Sequence, residues 1–407
     1  MKTRRRLLSM GVAVGAVVLA GCGGTAGPKP TPTPIPLGPM PQSIALPQGS
    51  AAPFAIEGSV LAWSGIPRPR GACPQNDVYL ANARAYRPRV IWKGAPCAVV
   101  SDVRISAAWV VWEAGASPGG SIWAYRRATG RVYRVAGQPR PPALGDPCDT
   151  PGCLPNFSFG LWGDVAVWSA VQFQAQGTML TSSISGKVLP SGPTRTLFTT
   201  TAACTLQTSP SLAAGRVVWL QETWPSQGVV AGDRRCQGLP RLNVVTELVG
   251  STFRKGRRAG LPFALQQITS SGLTSDPQTN GRFVAWQDRL GVATDCACSD
   301  LDVYDTRTNS VVTAARMVPL AHPGYALSGR FLAWIAAGTG SERVLVARLG
   351  PRHLRLTGIR VLARSGTPAA GRFVRTFGWP STHRVVWEFD RVIGLRDNVR
   401  VVIRQVA

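Results

Sequence analysis

The residues able to do chemistry are few and scattered. The whole 407-residue chain holds three histidines, His322, His353 and His383. Each lies in or beside a turn-like segment, near Pro323, Pro351 and Pro380, and none sits next to an Asp or Ser in a triad pattern. No Gly-x-Ser-x-Gly elbow, His-Glu-x-x-His helix or Walker loop occurs. The sequence therefore assigns no catalytic residue, although a site assembled from separate repeats would escape a motif search. Asp295, Asp300, Asp302 and Asp305 crowd one segment, but they do not follow a calcium-loop spacing and no Glu closes them. They read as turn caps and a solvated strand face. Glu388 and Asp390 flank Phe389 and share one side of a strand. A glycosidic carboxylate pair is defined by its separation, which a sequence does not contain, so this pair is read as ordinary. No metal and no cofactor is expected.

The densest basic run of the chain past its leader is Arg254-Lys255-Gly256-Arg257-Arg258. Such a loop would attract anionic headgroups or wall polymers at about 1 kcal/mol per basic residue. The competing reading is a solvated loop in an arginine-rich chain. Lys plus Arg number 45 against 20 Asp plus Glu, a formal charge of +25. Only Lys2, Lys29, Lys93, Lys187 and Lys255 are lysines, so arginine usage carries the excess. The arginines are spread over strand starts and turns instead of one helix or stripe, which argues against a nucleic-acid partner.

Nine cysteines are present. With Cys22 set apart, eight remain in neighbouring pairs: Cys73/Cys97, Cys148/Cys153, Cys204/Cys236 and Cys296/Cys298. In an exported chain they are candidates for loop-stapling disulfides, with connectivity open. Cys296 and Cys298 would close a small, strained ring, for which a redox role is the alternative.

Export is written at the start. Lys2, Arg4, Arg5 and Arg6 precede the uncharged stretch Leu7–Ala20, too short to span a bilayer and suited to a signal peptide. Leu19-Ala20-Gly21-Cys22 resembles the bacterial lipobox, which implies lipidation of Cys22 and cleavage just before it. Thr3-Arg4-Arg5-Arg6-Leu7-Leu8 is also similar to a twin-arginine export signal, leaving the route open between the two systems. Prolines at 28, 30, 32, 34, 36, 39, 41 and 47 follow. Each fixes φ and removes an amide donor, so residues 22–52 are expected to form an extended stalk rising about 3.1 Å per residue.

The elements that must position any site come next. A small residue or turn, then apolar alternation, then Trp, recurs seven times, ending at Trp63, Trp112, Trp168, Trp219, Trp286, Trp334 and Trp387. Copies about 50 residues apart signal a repeat architecture. Val, Phe and Trp suit a pleated strand, and the preceding Gly-Arg or Gly-Asp suits a tight turn. A second half-motif, Ile122-Trp-Ala-Tyr125 or Asp302-Val-Tyr-Asp305, leads to a Thr-Gly or Thr-Asn turn fit for positive φ. No long helical stripe appears. The fold class is all-β, a β-propeller of seven blades over residues 53–407 with Trp packed between blades. Irregular copies, with Ala107 or Thr382-His383 at the turn, leave six or eight blades open. Closure is expected between Val399–Arg404 and a strand near Ala52 to Ile56.

These half-motifs resemble the TolB-like and WD40-like propellers of exported bacterial proteins. That resemblance implies an architecture and is nearly silent on activity. The expected organisation is a signal peptide over 1–21, a lipidated stalk over 22–52 and one propeller domain. The expected role is a lipid-anchored binding or scaffold module on the extracytoplasmic side of the cell membrane. Its partner would be a protein, glycan or anionic envelope polymer. The alternative is a hydrolase or lyase working at the central channel.

Overall fold

A computed structural model describes residues 42–46, 50–65, 75–84, 86–95, 98–115, 120–137, 158–173, 179–202, 205–223, 245–253, 263–268, 277–288, 298–319, 324–338, 341–364, 372–377, 384–393 and 396–405. All of its strands lie within the compact unit Pro39–Ala407. The described residues contain strands and turns, and none of their segments is a helix long and apolar enough to cross a membrane.

The strands form seven four-stranded antiparallel sheets. The first contains β2 (Ser50–Glu57), β3 (Val60–Gly65), β4 (Asp77–Asn82) and β5 (Arg89–Trp92). The second contains β6 (Val99–Ile105), β7 (Trp109–Gly115), β8 (Ser121–Arg126) and β9 (Arg131–Gly137). The third contains β10 (Phe159–Trp162), β11 (Val165–Phe173), β12 (Met179–Val188) and β13 (Arg195–Thr200). The fourth contains β14 (Thr205–Ala213), β15 (Arg216–Thr223), β16 (Val245–Thr252) and β17 (Phe263–Ile268). The fifth contains β18 (Gln278–Thr279), β19 (Phe283–Asp288), β20 (Cys298–Asp305) and β21 (Ser310–Pro319). The sixth contains β22 (Tyr325–Ser328), β23 (Phe331–Gly338), β24 (Ser341–Leu349) and β25 (Leu356–Arg364). The last orders β26 (Arg372–Phe377), β27 (Arg384–Ile393), β28 (Arg396–Gln405) and β1 (Gln42–Ala45). The first strands of successive sheets touch one another in turn, and β26 touches both β22 and β2, so the ring closes. This is a β-propeller.

Two expectations need correction. The C-terminal strand β28 pairs with β1, Gln42 opposite Ile403 and Ala45 opposite Arg400, and not with the segment near Ala52. That segment belongs to β2, paired with β3 in the first sheet. The expected stalk is therefore shorter at its C-terminal end, because Gln42–Ala45 and Ser50 onward are strand. The prolines there do not forbid pairing. Pro41 precedes β1 and Pro47 lies between β1 and β2, while Pro53 falls at the β2 irregularity between Ala51 and Phe54.

Each Trp of the repeat stands on the second strand of its sheet, from β3 to β27. The six whose side chains are described are at most 4% exposed. Trp63 stacks on Tyr79 and Tyr86 of its own sheet, and the other five pack toward the preceding sheet. Trp112 joins Ala55, Ala62 and Val78, Trp168 joins Val111 and Ile122, and Trp334 joins Phe283, Leu301 and Val303. A large aromatic body with pleat-compatible geometry fills the space between two twisted sheets, which is why this position keeps one residue type.

The turn before each Trp strand also follows local chemistry. Gly281, at φ +96, is the tightest: a Cβ there would lie 2.6 Å from the Ala214 Cβ of the preceding sheet. The second copy lacks the glycine, and its turn is held differently. Trp109 N donates to Ser106 Oγ at 3.2 Å, and Arg127 Nη1 donates to the Ser106 and Ala107 carbonyls at 2.8 Å. The Thr-Gly and Thr-Asn turns adopt the expected positive φ at Gly130 and Asn309.

Candidate functional site

Strand direction alternates within each sheet, so the first-to-second and third-to-fourth connections emerge at one end. At that end the first strands of six sheets converge on a cavity of about 460 Å³. Glu57, Trp162, Asn280 and Ser328 line it, and each is the residue immediately before a turn glycine. Arg104, Ser106, Ser158, Ser211 and Thr279 add further polar groups, while Ile105, Phe159 and Leu327 supply apolar wall.

Part of this wall is fixed by its own hydrogen bonds. Ser106 Oγ donates to the Gly163 carbonyl at 2.7 Å, tying the second sheet to the third. Thr279 N donates to Ser211 Oγ at 3.1 Å, tying the fifth to the fourth. Asn280 Nδ2 donates to the Gly329 carbonyl of the sixth sheet, and Asn280 Oδ1 accepts from Arg282 N and Phe283 N at 3.0 and 2.8 Å. Other groups face the opening. Ser158 and Ser328 are half-buried, and the Trp162 indole is 48% exposed, the only exposed large aromatic among the described residues. Ser209, which also lines the cavity, holds a positive φ of 54 at the β14 bulge, a conformation uncommon for a residue with a side chain.

The charges at the cavity are mixed. Arg104 pairs with Asp102, two residues back on β6, at 2.8 Å. Burial pushes the Glu57 carboxyl above its usual range, and the nearby Arg127 charge opposes this. Burial likewise lowers Arg127, with Glu57 acting against it and Arg89 adding to it. The arrangement offers hydroxyls, an aromatic plane, one acid and one base around a pre-formed hole, a composition suited to holding a polar ligand. Among the described residues lining the cavity there is no histidine, cysteine or lysine to activate a serine.

The candidate residues picked out by sequence fall elsewhere. Cys22, Arg254, Lys255, Arg257, Arg258, Cys73, Cys97, Cys148, Cys153, Cys204, Cys236, Cys296, His322 and His383 lie outside the described residues. For Cys298 only the backbone is described, on β20 opposite Pro319. Glu388 and Asp390 lie on β27, with side chains outside the described set. His353 is exposed in the turn between β24 and β25 and does not line the cavity.

The acidic segment differs from expectation. Asp305 is not on a solvated face: it is fully buried and takes a bidentate pair from Arg282, Nη2 to Oδ2 at 2.6 Å and Nε to Oδ1 at 3.0 Å. Burial works against its charge, but the Arg282 hydrogen bonds and the Arg307 amide outweigh it and hold the carboxyl below its usual range. Asp305 also caps the turn, as expected, by accepting from Arg307 N at 2.9 Å. Asp302 is half-buried, and desolvation raises it despite a hydrogen bond from Thr313. Among the described residues no three His, Cys, Asp or Glu side chains gather as a metal site would require.

The channel-mouth residues do not stand out in the sequence because alternating Ser and Thr look alike on any strand. A usable signal existed: the position just before each turn glycine, read down the repeats.

No family model matches the chain, and no curated protein matches it. Solved structures do. The propeller domain of the Trilobed protease from Pyrococcus furiosus is similar at 10% identity and a TM-score of 0.53, covering 88% of this chain and 97% of that one. That domain is described as having an open velcro topology, whereas here β1 is hydrogen-bonded to β28. Pyrococcus horikoshii acylaminoacyl peptidase matches at 9% identity and a TM-score of 0.54, over 88% of this chain and 52% of that one. A prolyl endopeptidase matches at 7% identity and a TM-score of 0.50, over 88% and 50%. The chain thus spans about half the length of these two peptidases. At such identities the likeness is one of fold.

Proposed function

We propose that this protein is a lipid-anchored, extracytoplasmic binding module of the TolB-like or WD40-like kind, whose ligand enters the channel mouth. The observation that carries this reading is the pre-formed cavity of about 460 Å³, with hydroxyls on its wall and an exposed Trp162 at its rim. Cys22 carries the lipid, and the residues between it and β1 form the stalk that holds the propeller off the membrane.

The test of the site is tryptophan fluorescence with a panel of peptides and oligosaccharides. A ligand whose affinity falls at least about tenfold in Trp162→Ala, the loss of one good contact, supports it. A ligand indifferent to Trp162 and to Ser328→Val refutes it. For the anchor, labelled palmitate should enter the wild type and not Cys22→Ser; equal incorporation refutes it. The second reading, hydrolysis at the channel, draws support from the peptidases among the similar folds. Turnover of fluorogenic peptides that disappears in a channel-serine variant would favour it over simple binding.

A further inference from the structure

The face that carries the channel mouth has a charge pattern of its own. The third-to-fourth-strand turns surround the mouth at that end of the sheets. In the first sheet this turn holds Arg84 and Arg87, in the second Arg127, in the fifth Arg307, and in the sixth Arg352 and Arg355. None of these four turns contains an Asp or Glu. All of these arginines are exposed except Arg127, which is half-buried. At the same end the first-to-second-strand turns bring two acids, Glu57 just before Gly58 and Asp164 just after Gly163, against the six arginines of these four turns.

The ring is coupled to the cavity. Arg127 reaches inward to the Ser106 and Ala107 carbonyls of the cavity wall. Arg282 joins the sixth-sheet turn by donating from Nη1 to the Pro351 carbonyl at 2.6 Å, which places the Arg352 segment beside the fifth sheet. Inside the mouth, Arg104 and the serine hydroxyls supply further donors.

From these observations we infer that the channel-mouth face binds a phosphate-rich polymer, with the turn arginines on its backbone and one unit over the mouth. This deepens the proposed binding role and rests on it. Guanidinium forks match phosphate oxygens in bidentate fashion, and cations from four separate sheets suit an extended chain better than a single small anion. Neutral glycan would need no such ring.

The test uses the full-length protein in neutral detergent with long-chain polyphosphate as probe, and polyglutamate, dextran and phosphatidylglycerol vesicles as comparison arms. Two fourfold variants lose the same charge. One is Arg84→Gln, Arg87→Gln, Arg307→Gln and Arg352→Gln in the turns. The other is Arg134→Gln, Arg316→Gln, Arg360→Gln and Arg364→Gln, exposed positions on the outermost strands β9, β21 and β25, beyond the mouth-end turns. At low salt the turn variant should bind polyphosphate on the order of six-hundredfold more weakly, about fivefold for each of the four cations. The outer-strand variant should lose less than about a fifth of that effect, and binding should weaken steeply as salt rises. Matching thermal midpoints for both variants would show that folding is intact. Equal losses in the two variants, no binding by the wild type, or tighter binding of polyglutamate or vesicles than of polyphosphate would overturn the proposal. Trp162→Ala separates the two readings. If polyphosphate binding depends on the turns but ignores Trp162, the face survives and the channel reading fails.

Discussion

Two seams of the ring are built from one repeat around the same buried Trp, and one of them adds a polar key. Between the first and second sheets the contact is apolar: Ala55, Ala62 and Val78 meet Val103, Val110 and Trp112, and the Trp112 Nε1 makes no hydrogen bond. Between the fifth and sixth sheets polar side chains key the register. Gln278 Nε2 donates to the Tyr325 carbonyl at 3.0 Å while its Oε1 accepts from Leu327 N at 2.8 Å. Tyr325 OH donates to the Ala285 carbonyl at 3.0 Å. Gln278 thus pairs sideways with the next first strand as a short backbone would, and β18 is only two residues long. The comparison teaches that the Trp position sets how sheets stack, while buried amides set where one sheet sits along the next.

The largest expected effect comes from breaking the ring instead of a seam. A chain beginning at Pro53, the boundary the sequence suggests, lacks β1 and the start of β2 and leaves the β28 edge bare. It should show no cooperative thermal transition, whereas a chain beginning at Pro39 should; equal calorimetric traces would deny β1 any part in closure. Next, Trp112→Ala at the apolar seam should cost about 3–5 kcal/mol in urea unfolding. Substituting Phe sharpens the contrast. Trp112→Phe loses no hydrogen bond, but Trp219→Phe abandons Gln207 Oε1, which accepts from Trp219 Nε1 at 2.5 Å in a buried network. Trp219→Phe should therefore cost about 1–3 kcal/mol more than Trp112→Phe.

At the keyed seam, Gln278→Leu strands the Leu327 amide and the Tyr325 carbonyl and should destabilise by about 2–3 kcal/mol. A neutral result would mean that the apolar Trp334 contact holds this seam without help from the amide. The smallest effect is pH-dependent. Because Asp305 is held below its ordinary value near 3.8, its pair with Arg282 stabilises fully above that pH. The contribution is lost as pH falls through the lower folded value. The melting-temperature gap between wild type and Asp305→Asn should be constant from pH 7 to 5 and close only below about 3.8. A gap that closes near neutrality would point to another group.

Much of the fold was legible because it rests on short-range rules. The Trp strands, their Gly turns and the Thr-Gly and Thr-Asn hairpins each follow from alternation and local φ preference, so residues such as Gly281, Trp286 and Asn309 announce themselves. The candidate site was hidden. Glu57, Trp162, Asn280 and Ser328 stand far apart in sequence, and only the ring brings them to one opening. Asp305 was misread for the same reason: its partner Arg282 is 23 residues away, across a strand pair.

By itself the sequence determined an all-β repeat and the identity of the packing tryptophan. Those features are encoded within a few neighbouring residues, where sterics and alternation act directly. The tertiary structure decided that Gln42–Ala45 closes the ring, that Asp305 is buried with Arg282, and that one end gathers arginines around a hydroxyl-lined mouth. Each of these joins residues distant in the chain, and loop closure and burial fix such pairings only when the whole ring has formed.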